Sequence, residues 1–165
     1  MKKLVLLVCC MMCGCIAMAQ YSNVGLSLSA NIPTGFGYGL GFGAGVQGEF
    51  QVSNKIHMQP SVNYYRLYTR RVNAQGGTTV ITSRNASNML NVSPAANIYL
   101  GERSYLQAGP SLYFMNGTKA GITAGFGVKV PSGTNNIDLG LRTENMISDG
   151  IFNFIAFRAA YCFSL

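Results

Sequence analysis

Apolar and polar residues alternate with a period of two along most of the chain. Val24, Leu26, Leu28 and Ala30 interleave with Gly25, Ser27 and Ser29. Leu40, Phe42, Ala44, Val46 and Phe50 interleave with Gly39, Gly41, Gly43, Gly45, Gln47 and Glu49. In an extended strand this period sends one set to each face. The pattern recurs over 56–65, 90–100, 105–114, 121–130, 137–144 and 155–165, which predicts eight strands. No apolar run reaches the roughly 18 residues of a membrane-spanning helix.

The second face decides the environment. In a soluble sandwich it meets water and is rich in Lys and Glu. Here it is mostly Gly, Ser, Asn, Gln and Tyr. Charged residues make up only 10% of the chain, hydrophobic residues 48%, and mean hydropathy is +0.22; an ordinary soluble domain carries roughly 25% charge. A closed barrel in lipid accounts for both facts: the apolar face meets lipid and the small polar face fills a narrow interior. The expected fold is all-β, an eight-stranded antiparallel up-and-down transmembrane β-barrel. Such a barrel has room inside for side chains or one small ligand. Short links at 51–55, 101–103 and 131–135 fall on one end, the periplasmic one. The longest link, Thr69–Ser87, falls on the other, as an external loop or as strands rising above the membrane. Pro60, Pro94 and Pro110 lie inside predicted strands, where a bulge or kink is expected.

The first nineteen residues read differently. Lys2 and Lys3 precede the apolar run Leu4–Met12, and Ala17-Met18-Ala19 offers small residues to a signal peptidase. This predicts a cleavable signal peptide over 1–19 and a barrel domain over 20–165. Lipoprotein processing at Cys15 is the weaker alternative, because Met12-Cys13 is a poor lead-in. Cleavage before Gln20 removes four of the five cysteines and leaves Cys162, which allows neither an internal disulfide nor a zinc site.

The segments Met58-Gln59-Pro60-Ser61-Val62-Asn63-Tyr64-Tyr65, Leu90–Leu100 around Pro94, and Gln107-Ala108-Gly109-Pro110-Ser111-Leu112 resemble outer-membrane β-barrel domain proteins, the porin family of Gram-negative bacteria. The closing strand Phe157–Phe163 adds to the resemblance, which covers essentially all of residues 20–165. It implies an outer-membrane location, contact with outer-membrane lipid and lipopolysaccharide, and delivery through the C-terminal strand to the barrel assembly machinery. It implies no reaction and no cofactor. The chain departs from the family in ending on Leu165 rather than on an aromatic residue.

Charge refines the interior. Glu49, Asp138 and Glu144 fall on the inward face, and so do Lys129, Arg142 and Arg158. Buried charges need partners, so these six predict a salt-bridged lumen that holds the barrel shut. The formal charge of +7 falls to +5 once Lys2 and Lys3 are removed. Arg66, Arg70, Arg71, Arg84 and Lys119 gather toward the outer end, where lipopolysaccharide phosphates are the nearby anions; nucleic acid is no natural partner for an exported barrel. The glycines at 35–45 leave space for side chains across the lumen, such as Tyr99 and Tyr113.

No catalytic motif occurs, and with one histidine, His57, and one mature cysteine no metal site is expected. The leading expectation is a monomeric structural or surface-interaction barrel, neither an enzyme nor cofactor-bound. A transport barrel, lipocalin-like or a narrow channel, is the alternative; a lipid-modifying enzyme using His57 is the third reading.

Overall fold

The computed structural model describes residues 22–34, 38–75, 78–115, 117–147 and 152–165, with the backbone alone at 22, 38, 69–75, 78–85 and 152. The expected signal peptide, residues 1–19, lies outside them. Eight strands, β1 (Ser22–Pro33), β2 (Tyr38–Gln51), β3 (Ile56–Gln75), β4 (Thr78–Tyr99), β5 (Ser104–Phe114), β6 (Thr118–Ser132), β7 (Asn135–Ile147) and β8 (Phe152–Ser164), pair in sequence order. β1 also pairs antiparallel with β8, which closes the barrel.

The barrel is inverted relative to a soluble protein. Leu26, Leu28, Phe42, Phe126 and Phe157 are each more than half exposed. Gln59, Asn91, Asn97, Asp138 and Glu144 are fully buried. An outer belt of apolar side chains costs nothing in lipid, while every backbone N–H and C=O must find a partner within a closed sheet. Alternation therefore sorts each strand between the bilayer and the lumen.

The turn end carries both termini of the barrel and the links 52–55, 100–103 and 133–134. Gly133, at φ 66°, supplies the left-handed residue of the two-residue β6–β7 turn. At the opposite, hairpin end, β3 and β4 run to 20 and 22 residues and stay paired out to Gln75 and Thr78. The long link is thus built as strand extensions. The pairing of β3 with β2 ends at Thr69, and that of β4 with β5 at Leu90, so the two long strands continue as a hairpin of their own.

A bulge or kink is the expectation at the three prolines. Pro60 pairs with Pro94, and the register of β4 with β5 sets Pro94 opposite Pro110, so all three form one row. No bulge accompanies them: β2–β3 keeps one register from Val46↔Val62 to Phe50↔Met58, and β4–β5 from Val92↔Leu112 to Ala96↔Ala108. The register shifts lie at Tyr38/Gly41 and Arg71/Val72, toward the hairpin end. The β3–β4 ladder runs unbroken through the row, whereas the β4–β5 pairing has a gap there. The absent N–H of Pro94 therefore belongs to the β5 side. Ser93 Oγ donates to Pro110 O at 3.2 Å and satisfies a carbonyl that Pro94 cannot reach.

Candidate functional site: the lumen and the basic hairpin

The six charges expected in the lumen form three separate layers. Nearest the turn end, Glu49 accepts from Tyr99 Oη at 2.6 Å, lies 2.7 Å from His57 Nδ1 and pairs with Lys129 Nζ. The sole histidine is held by this carboxylate and by a tilted contact with the Tyr99 ring at 4.5 Å.

Asp138 centres the middle layer. It accepts from Arg158 Nη2 at 2.9 Å, Tyr105 Oη at 2.5 Å, Gln47 Nε2 at 3.0 Å and Gln59 Nε2 at 3.2 Å. These donors come from β8, β5, β2 and β3, so one carboxylate ties five strands across the lumen. Asn97 donates to Gln59, and Gln107 donates to both Gln59 and Asn97. Cys162 is buried beside this layer and accepts from Gln47 Nε2 at 3.4 Å.

The third layer sits toward the hairpin end. Arg142 Nε lies 2.9 Å from Glu144 Oε1, two residues along the same face of β7. Tyr113 Oη donates to Glu144 Oε2 at 2.5 Å, and Arg142 Nη2 donates to Tyr65 Oη at 2.8 Å. Each charge is matched within its own layer, and neutral amide and hydroxyl donors complete the carboxylates, as burial in a low-dielectric space requires.

Above this layer the lumen turns apolar. Leu67, Met89, Met146 and Phe154 pack with Tyr65 and Tyr113 into a fully buried cluster. This corrects the expectation of a lumen lined throughout by small polar residues. Leu67 and Met89 continue the inward faces of β3 and β4 beyond the predicted strand limits, so no alternation assigned them inward. They fill the bore where the polar network stops.

The glycines are corrected as well. A Cβ on Gly43 would enter the ring of Tyr65, and one on Gly41 or Gly45 would meet Leu67 or Asn63. The glycine row on β2 thus makes room for side chains of the neighbouring strand β3, rather than for Tyr99 and Tyr113 across the lumen. Tyr113 is accommodated by Gly121, and Tyr105 by Gly127. Gly35 and Gly37 lie outside the described residues.

Of the five cations expected at the outer rim, the side chains of Arg66 and Lys119 are described. Arg66 points outward from β3, its guanidinium 5.9 Å from the Tyr68 ring. Lys119 lies on the inward face of β6, opposite Tyr113. The backbone of Arg70 pairs with that of Arg84 in the long hairpin. The side chains of Arg70, Arg71 and Arg84 lie outside the described residues. Among the described residues no three of His, Cys, Asp and Glu gather as a metal-binding group.

Solved structures repeat this architecture. Neisserial surface protein A superposes with a TM-score of 0.53 at 12% identity, over 86% of this chain and 94% of that one. The protein is an eight-stranded transmembrane β-barrel of the outer-membrane type. Ail of Yersinia pestis, solved in complex with the heparin analogue sucrose octasulfate, matches this barrel with a TM-score of 0.51 at 14% identity, over 88% of this chain and 100% of that one. A de novo designed transmembrane β-barrel gives 0.50 at 10% identity, over 86% and 95% of the two chains. No family model and no curated protein sequence matches the chain. What it shares with these structures is the fold.

Proposed function

We propose that this barrel is a monomeric outer-membrane protein with a structural and surface-interaction role, presenting the β3–β4 hairpin to anionic groups at the cell surface. Residues 1–19 direct export, and β8 is the strand handed to the barrel assembly machinery. The turn end then faces the periplasm and the hairpin end faces outward.

One observation carries the reading. The chain from Ile56 to Tyr99 contains Arg66, Arg70, Arg71 and Arg84 and no aspartate or glutamate, and its distal part is the hairpin that outruns the rest of the barrel. An arginine fork matches phosphate oxygens, and lipopolysaccharide phosphates surround the outer rim. Ail, a barrel of the same fold, has been solved with a sulfated polyanion. The closed lumen supports anchoring over transport: three polar layers and an apolar cap stand in the bore of a barrel already narrow by strand number.

The test replaces Arg70, Arg71 and Arg84 together with Gln. Binding to lipopolysaccharide should weaken and lose most of its salt dependence, while folding in detergent is unchanged. Unaltered binding with an unaltered salt slope would overturn the assignment.

A further inference from the structure

At the turn end the lumen opens into a polar cavity of about 370 Å3. The 52–55 and 100–103 turns contribute Asn54 and Arg103 to its wall, and the adjoining ends of β6 and β7 contribute Pro131 and Asn136. Its floor is His57, Tyr99 and Lys129, the groups tied to Glu49. The rim is fastened in advance. Tyr99 N donates to Lys55 O at 2.8 Å, which joins the 52–55 turn to β4, and Lys129 N donates to Arg103 O at 2.9 Å, which joins the 100–103 turn to β6. Small-molecule sites are concave, largely preformed and roughly 300–1,000 Å3 in volume. The Asp138 layer lies directly beyond the floor, so the cavity is a blind pocket rather than the entrance to a path.

The floor sets the chemistry. Glu49 is only 4% exposed, and both of its oxygens are taken, Oε1 by His57 and Tyr99 and Oε2 by Lys129. Its oxygens are therefore covered, and an entering molecule meets the Lys129 ammonium rather than the carboxylate. An ammonium carries three hydrogens and Glu49 engages one side of it, so Lys129 retains donors for the cavity. Arg103 adds an exposed guanidinium on the wall. Glu102 is the one acid among the lining residues, and it stands exposed on the turn. The Tyr99 ring, 5.6 Å from the Lys129 ammonium, offers a flat apolar face beside the charge.

We propose that this cavity binds a small anionic ligand, a carboxylate or a phosphate ester of about single-sugar size, with Lys129 and Arg103 taking its charge and Tyr99 supporting its body. The site is at the opposite end from the basic hairpin and does not depend on that reading.

His57 is the only histidine in the chain, so its ring resonances report on the floor without ambiguity. The refolded barrel in detergent micelles is titrated at fixed pH and ionic strength with glucose 6-phosphate, inorganic phosphate, gluconate and neutral glucose. A saturable shift of the His57 resonances with a phosphate or a carboxylate probe, and none with glucose, is expected; which anion saturates identifies the head group. Arg103→Gln, on an exposed turn, should weaken that binding about tenfold, the loss of one charge-assisted contact. Arg66→Gln, outside the cavity, should leave it unchanged. Lys129→Gln should weaken it further where that variant folds, and the Arg103 variant decides the matter where it does not. No saturable shift with any anion, an equal response to glucose, or an unchanged midpoint in Arg103→Gln would each overturn the proposal.

Discussion

Gln47 and Asp138, 91 residues apart in sequence, meet across the lumen at 3.0 Å. Their contact joins β2 to β7 through the centre of the barrel rather than around its wall. It makes Asp138 the hub of the middle layer, and the first prediction follows from what that hub would lose.

Arg158→Ala removes the one cation bonded to Asp138 and leaves a buried carboxylate on neutral donors. Breaking one side of a buried pair costs about 3–5 kcal/mol, so the urea unfolding midpoint in detergent should fall sharply. Replacing both partners, Asp138→Leu with Arg158→Met, should cost far less than Arg158→Ala alone, because no charge is then stranded. An unchanged midpoint in Arg158→Ala would mean that water reaches this layer.

Gly127 tests the packing of the lumen. A methyl group there would fall on the Tyr105 ring, which could move aside only by giving up its 2.5 Å bond to Asp138. Gly127→Ala should destabilise by about 1–3 kcal/mol, the usual cost of overpacking. Combining it with Tyr105→Ala should make the glycine substitution nearly neutral, which a double-mutant cycle on the unfolding midpoint would measure.

The proline row gives a prediction of the opposite sign. Pro94→Val restores an N–H on the β5 side, where Pro110 O now accepts only from Ser93 Oγ among the described bonds. The new ladder bond should raise stability by about 0.5–1.5 kcal/mol with no change in register. A lower unfolding midpoint would show that the row is needed as it stands.

In a planar bilayer the barrel should pass no steady current. Phe154→Ala with Met89→Ala opens the apolar cap but leaves the layers at Glu144, Asp138 and Glu49 in place, so that variant should be silent too. Steady single-channel current from the native barrel would show that the lumen is not closed and would favour transport.

Much of this was legible in the chain because it is local. Alternation at Leu26, Ser27 and Leu28 fixes which side chain meets lipid whatever the rest of the barrel does, since neighbouring residues of a strand must point to opposite faces. Reading it along the chain placed Glu49, Lys129, Asp138, Arg142, Glu144 and Arg158 inside. Their pairing was not legible. Arg142 finds Glu144 on its own strand, Asp138 gathers donors from four other strands, and Lys129 reaches Glu49 on β2. Those choices depend on the stagger between strands and on closure of β1 against β8, which set the height of each residue in the bore. The apolar cap was hidden for a related reason. Leu67, Met89 and Phe154 carry no polar contrast to mark them as lumenal, and only the continuation of three strands beyond the bilayer-length pattern turned them inward to meet.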